Sequence, residues 1–207
     1  MSVQLFNCEQ GTPEWYEVRR GIPTASEFST VMAKGEGKTR RTYLLKLAGE
    51  LLTEECAESY SNANMERGKA MEAEARELYA FQKDVEPQLV GFIRNGRVGC
   101  SPDALIGTAG ALEIKTALPH ILIDYLLKDE FPATHKAQTQ GVLMVAEREW
   151  IDLSVYWPKL PPLVKMARRD EPYIANLRGE LDRFLDDLDA TVEQVKRYGV
   201  TPQAVAA

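Results

Sequence analysis

Asp103 and the triplet Glu113-Ile114-Lys115 flank a glycine-bounded turn, Gly107-Thr108-Ala109-Gly110. Leu105-Ile106 and Ala111-Leu112-Glu113-Ile114 have the apolar character of two short strands, and the glycines between them open conformations that other residues resist. A hairpin centred on Thr108 sets Leu105 opposite Ala111 and Asp103 opposite Glu113. Side chains opposed in this way stand about 5 Å apart, and like charges so placed repel. Alternation along the strand puts Lys115 on the face of Glu113 and turns Ile114 the other way, into a core. Pro102 stiffens the approach to Asp103, and a bulge there would shift the pairing by one. Two acids and one amine meeting at the edge of an apolar hairpin call for a divalent cation. A surface hairpin with a stray Glu–Lys pair is the bland alternative.

Other elements must bring partners to this edge. Thr12-Pro13-Glu14 has N-cap, first-turn proline and early acid in the order that starts a helix carrying Trp15 and Arg19. Thr24-Ala25-Ser26-Glu27 reads as a capping box and a second helix start. Its free N–H groups would suit a phosphate, with Arg19, Arg20 and Ser26 close by; a structural cap with solvated arginines is the competing reading. Helices are predicted over about 40–55, 64–83, 120–128, 133–147 and 172–197, and strands near 89–94, 97–101, 104–106, 111–116 and 151–157. This order gives an α/β fold with a central sheet and helices packed on it. The last helix repeats Ile174, Leu177, Leu181, Phe184, Leu188, Val192 and Val195 on one face. Burial in the chain's own core is the favoured reading of that stripe, with a subunit contact as the other.

Two polar residues project from apolar stripes. Glu72 falls at the inner edge of the stripe Met71, Ala75, Leu78 and Tyr79, where a carboxylate is expensive unless paired or bound to metal. It either meets a neighbouring arginine or joins the acids above, and helix geometry alone does not choose. Gln138 shares a face with Gly141, Val142 and Val145, and hydrogen bonding to nearby backbone is its simplest use.

Composition sets outer limits. The 207 residues suffice for one well-cored domain spanning 1–207, and 44% hydrophobic with 27% charged residues is ordinary for a globular protein. No membrane-spanning run or signal peptide is apparent, so a cytoplasmic location is expected. Three scattered cysteines argue against a disulfide framework or a zinc site, and His120 and His135 are too few for a histidine-rich centre. A net charge of −6 speaks against nucleic acid only if charge is spread evenly. The stretch Lys34-Gly35-Glu36-Gly37-Lys38-Thr39-Arg40-Arg41 is a local basic loop.

Five ordered blocks then carry a resemblance. They are Trp15 to Arg19 leading into Gly21-Ile22-Pro23-Thr24-Ala25-Ser26-Glu27, Gly68-Lys69-Ala70-Met71-Glu72, Cys100-Ser101-Pro102-Asp103, Leu112-Glu113-Ile114-Lys115, and Ala137-Gln138-Thr139-Gln140. Across roughly 10–157 the chain resembles the phage lambda exonuclease family, the alkaline-exonuclease-like branch of the PD-(D/E)xK superfamily. Beyond Trp157 only a general helical character matches. The resemblance implies a restriction-endonuclease-like core with a central mixed β-sheet flanked by helices and a long C-terminal helix, all in one nuclease domain. It implies that Asp103, Glu113 and the Ile114 carbonyl bind Mg²⁺, with Glu72 completing the acidic site. Lys115 would orient or deprotonate the attacking water and offset charge on the phosphorane-like transition state. Arg19, Ser26, Ser101 and Gln138 would hold a terminal 5′-phosphate.

The activity implied is 5′→3′ digestion of one strand of duplex DNA from a phosphorylated end, leaving a 3′ single-stranded tail. Homotrimeric rings and a single-strand annealing partner in homologous recombination are implied in the same way. Phosphodiester hydrolysis needs a hydroxide near neutral pH and stabilisation of charged oxygens, which two metals about 4 Å apart supply. Hard oxygen ligands favour Mg²⁺ or Mn²⁺ over zinc. Two rival readings stand beside this one: a structure-selective or restriction-type endonuclease on the same core, and a non-catalytic DNA-binding assembly factor.

Overall fold

A computed structural model describes residues 2–33, 38–56 and 63–199, with the side chains of 38 and 63–69 left aside. In chain order the elements are β1 (Gln4–Phe6), α1 (Pro13–Arg19), a 3₁₀ turn (Ala25–Glu27), α2 (Phe28–Val31), α3 (Lys38–Thr53) and α4 (Ala63–Lys83). Then follow β2 (Pro87–Gln88), β3 (Phe92–Asn95), β4 (Val98–Cys100), β5 (Ala104–Ile106), β6 (Gly110–Thr116) and α5 (Pro119–Lys128). A second 3₁₀ turn (Ala133–His135) leads into α6 (Lys136–Val145), β7 (Trp150–Tyr156), β8 (Leu163–Arg168) and α7 (Glu171–Lys196).

The strands form two sheets. Five strands run in the order β2-β5-β6-β7-β8, mixed because β6 and β7 are parallel while the other pairs are antiparallel. Three more, β1-β3-β4, make a smaller antiparallel sheet. The strand expected at 89–94 forms only from Phe92, as β3, while β2 lies just before that range and in the other sheet. The chain crosses between them at Gly91, where a Cβ would stand 2.0 Å from the Cys8 carbonyl oxygen, so only glycine fits. The edge strand β8 and the three-residue β1 were not anticipated. The helical character expected beyond Trp157 begins only after β8, with α7.

The β5–β6 hairpin has the expected register: Ala104 faces Leu112, Leu105 faces Ala111 and Ile106 faces Gly110. Its glycines serve different ends. Gly107 takes φ +54°, the left-handed turn conformation, whereas a Cβ on Gly110 would lie 2.3 Å from the Trp150 ring.

Helices cover both faces of the main sheet. On one face α2, α3, α6 and α7 close over Phe28, Ile93, Leu143, Ile151, Leu177 and Phe184. The α7 stripe is buried there from Ile174 to Val192, as the favoured reading had it, but Val195 is 51% exposed and falls outside it. On the other face Met71, Ala75 and Tyr79 of α4 pack on Leu112 and Ile114, each full burial contributing about 1.5–3 kcal/mol. α6 is buried nearly all round, so its polar residues must find partners inside. Thr139 donates to the His135 carbonyl (3.0 Å); Gln140 donates to the Arg168 carbonyl and accepts from the Asp170 N–H, both at 2.8 Å. Gln140 thereby ties α6 to the junction of β8 and α7.

Part of the basic loop, Lys34–Gly37, lies outside the described residues. Of the rest, Arg40 pairs with Asp187 on α7 at 2.9 Å, which removes one cation from the expected basic face. Among the described residues no helix is long and apolar enough to cross a membrane.

Gly141 lets α6 press against the 3₁₀ turn, since a Cβ there would meet the Phe28 ring at 2.4 Å and Ala25 at 3.2 Å. We expect Gly141→Ala to destabilise the fold by about 1–3 kcal/mol through overpacking, measured as a lower urea midpoint. An unchanged midpoint would mean that this contact is slack.

Candidate active site

The chemistry-bearing end of the hairpin departs from a simple ladder. Pro102 cannot donate a hydrogen bond, and regular pairing stops at Ala104 and Leu112. Asp103 donates its N–H to the Leu112 carbonyl (3.1 Å), one position out of the expected step. Its carboxylate reaches across to accept the Ile114 N–H at 2.5 Å. The predicted face-to-face placement of Asp103 and Glu113 is replaced by this reach, and the two acids still share one site.

Glu113 points away from the α4 face, as strand alternation requires, and only 2% of it is exposed. Its Oε1 accepts both the Lys115 amine (2.7 Å) and the Gln138 amide (2.5 Å). Its Oε2 is buried and, among the described residues, has no partner. Ile114 turns into the α4 core. Glu72 approaches from α4, and its closest ion pair is with Arg76 at 3.5 Å, so the arginine contact and the acidic neighbourhood coexist.

Burial, then the charges of Glu113 and Glu72, push the Asp103 carboxyl well above its ordinary range, against the lowering pull of the Ile114 N–H and Lys115. Glu113 is raised by burial too, although Lys115 and Gln138 oppose the shift. For Lys115 burial acts to lower the pKa, but the charge and hydrogen bond of Glu113, with Asp103 and Glu72, outweigh it and raise the net value. The amine is thus a protonated cation at neutral pH, suited to orienting water and offsetting charge rather than to taking a proton. His135 is held below its ordinary value by burial and by Lys115, hence neutral at pH 7.

These residues fit a divalent cation by their chemistry. Buried carboxylates repel one another, one carboxylate oxygen lacks a donor, and the available ligands are hard oxygens. The fit is incomplete without help: among the described residues no three His, Cys, Asp or Glu side chains close around one point. The Lys115 and Gln138 contacts already occupy Glu113 Oε1. An ion would therefore draw on the Ile114 carbonyl, water or substrate oxygen beside Asp103, Glu113 and Glu72.

A pocket of about 200 Å³ opens beside the acids. Arg19, Ser26, Ser101 and Gln138 line it together with Asp103, Glu113 and Lys115, so all four residues expected to hold phosphate stand next to the acidic group. Arg19 lies flat on the Trp15 ring, 3.6 Å from its centre, and donates to Thr24 Oγ1 at 3.4 Å. The same indole N–H bonds Ser101 Oγ (3.1 Å) and the Gly91 carbonyl (2.9 Å). Trp15 thus positions two of the four pocket residues, a role not anticipated, although its place four residues before Arg19 on a helix was the available signal. Arg20 faces elsewhere, toward Glu17 and the Glu54 carbonyl. Gln138 is engaged by Glu113, neither free to meet phosphate nor bound to backbone as its simplest reading had it.

The capping box at Thr24 does not form. Thr24 makes no side-chain cap, Glu27 accepts from Thr30 instead, and the segment is a 3₁₀ turn followed by a four-residue helix. Tyr43 competes for the Thr24 N–H, accepting it at 3.1 Å, while Thr24 Oγ1 pairs with Ser26 Oγ at 3.2 Å. Anion binding here would come from side chains, since no helix dipole of useful length points at the pocket. Tyr43 carried no local sequence signal.

Mixed sheet, inward acids and adjoining cationic pocket together define a nuclease-like core, and the comparisons give it a family. Residues 14–149 match the YqaJ-like viral recombinase domain, and the chain belongs to that family. The alkaline exonuclease LHK-Exo from Laribacter hongkongensis is 30% identical, with a TM-score of 0.82 over 90% of this chain and 97% of that one. Its complex with dAMP gives 31% identity and a TM-score of 0.83 over the same shares. A phage-related exonuclease from Haemophilus somnus 129PT is 12% identical, with a TM-score of 0.66 over 87% of this chain and 99% of that one, and it shares the fold. No curated protein matches the chain in sequence.

The raised carboxyls yield a stability test. In the pH window above the ordinary carboxylate value, folded Asp103 keeps a proton that the unfolded chain has lost, so its ionisation lowers stability as pH rises. Asparagine cannot ionise and can still accept the Ile114 N–H. In EDTA at pH 8, Asp103→Asn should raise Tm by about 2–4 °C, the shift that about 1 kcal/mol makes in a domain of this size. The gain should vanish below about pH 4, where both side chains are neutral; a gain that persists there would contradict the assignment.

Proposed function

We propose that this chain is a Mg²⁺-dependent exonuclease acting as a single nuclease domain on double-stranded DNA in the cytoplasm. It hydrolyses one strand in the 5′→3′ direction from a 5′-phosphorylated end and leaves a 3′ single-stranded tail for recombination by strand annealing. The observation that carries this reading is the buried Glu113 Oε2, without a partner among the described residues and set among opposed carboxylates, beside a pocket that holds Arg19, Ser26 and Ser101. Membership of the recombinase family and the likeness to LHK-Exo support both the DNA substrate and the recombination role. A ring-shaped homotrimer and a single-strand annealing protein as partner belong to the same reading.

Asp103, Glu113, Glu72 and the Ile114 carbonyl are the groups that would hold the metal. Bound there, the ion would neutralise the acids and bring the pKa of a water toward neutrality, and Mn²⁺ would serve as well. Lys115, protonated and tethered to Glu113, would orient the attacking water and offset charge gathering on the phosphate oxygens. Arg19, flat on Trp15, presents its fork to the terminal phosphate, with Ser26 and Ser101 as hydroxyl donors. Gln138 orients Glu113 in the free enzyme and reaches phosphate when that bond yields. A pocket for the terminal phosphate fixes how far the cut falls from the end, which is what gives direction.

Three outcomes test this. Digestion of a linear duplex labelled at either end should release label from the 5′ end only, should stop in EDTA, and should spare closed circles. Cutting of circles would favour the endonuclease. Asp103→Ala and Lys115→Ala should lower hydrolysis by about 10³-fold or more with DNA binding retained; unchanged activity would favour the assembly factor. Arg19→Ala should slow phosphorylated ends by about tenfold or more and hydroxyl ends far less. Equal rates for both ends in the wild type would remove the pocket's proposed role.

A further inference from the structure

Asp103 is a wall shared by two hollows. One is the pocket holding Arg19, Ser26 and Ser101. The other, about 460 Å³, lies across Asp103 and is bounded by Gln10, Glu72, Arg76, Leu89 and Val90 among others. The reading above uses only the first.

Arg76 is the cation of the second cavity. Its side chain is only 19% exposed, yet its contact with Glu72 is 3.5 Å long, beyond the range of a well-made charge-assisted bond. A guanidinium carries five donors in a fixed fork. Among the described residues, a single long contact to one carboxylate oxygen engages this one. Gln10 has no donor to spare in the same cavity, since its amide is tied to the Val90 and Pro102 carbonyls at 3.2 and 3.3 Å. Leu89, 70% exposed, gives the mouth an apolar rim. A half-buried cation with donors unused among the described residues, beside an apolar lip, is suited to a phosphodiester and its neighbouring sugar and base.

The shared wall points to one phosphodiester. Because Asp103 borders both hollows, a strand whose terminal phosphate sits in the first pocket, and whose next phosphate lies at Asp103 and Glu113, has the second cavity adjoining its next linkage. We propose that Arg76 binds the phosphodiester one nucleotide beyond the bond being cut, on the strand that the enzyme retains, and that the cavity seats the adjoining nucleoside. This rests on the exonuclease reading and deepens it. The enzyme would then grip the retained strand beyond the cut while the terminal nucleotide leaves from the other side.

Short substrates isolate the contact. A 5′-phosphorylated dinucleotide has a terminal and a scissile phosphate and none beyond, whereas the trinucleotide adds one. In the wild type, kcat/KM should be about tenfold higher for the trinucleotide, as expected for a charge-assisted contact. That advantage should shrink as salt rises from about 50 to 200 mM. Arg76→Gln should bring the ratio close to one, and Arg76→Lys, which keeps the charge but not the fork, should retain part of it. A wild-type ratio of one overturns the proposal without any variant. A substitution that slows both substrates equally also overturns it, and makes Arg76 merely a holder of Glu72. If the wild type cuts neither oligonucleotide, a 5′-phosphorylated duplex with an uncharged methylphosphonate one linkage beyond the cut carries the same comparison, and failure to digest the unmodified duplex removes the exonuclease reading and this inference with it.

Discussion

The site depends on electrostatic conflict held in place by a well-packed fold. Asp103 and Glu113 are brought to one edge by hairpin register, Glu72 is carried in by a helix, and burial denies the first two the water that would screen them. Lys115 and Gln138 relieve only one of the two Glu113 oxygens. Such an arrangement persists because its cost is met elsewhere, by apolar layers on both faces of the sheet. The same conflict makes the edge receptive to a doubly charged ion, so destabilisation and proposed function have one origin.

Much of this was legible because two periodicities are strict. A period of two along β6 separates Glu113 and Lys115 from Ile114, and turn chemistry fixes the register that sets Leu105 against Ala111. The helical period placed Glu72 on the inner edge of α4 and most of the α7 stripe in the core. What local pattern could not supply was competition between partners. Thr24-Ala25-Ser26-Glu27 has the composition of a capping box, but Tyr43, from a different helix, takes the Thr24 N–H. Gln138 projects as expected, and which acceptor it finds depends on a strand 25 residues away.

The missed elements have equally physical reasons. β1 is three residues long and owes its existence to pairing with β3. β8 follows a proline-rich turn, and its burial pattern alternates poorly because it is an edge strand. Leu89 and Phe92 were read as members of one strand, but the strand forms only from Phe92, and the close approach of Gly91 to Cys8 separates it from Gln88 in the other sheet. Local propensity is silent about all three, since each is decided by what the chain meets after folding.

Trp15 joins an arginine four residues ahead to a serine 86 residues ahead, one through its ring face and the other through its N–H. Neither partner can drift without disturbing the other, so one side chain keeps the two halves of the pocket in register. Grafting either segment alone onto another scaffold would transplant the side chains and lose their alignment.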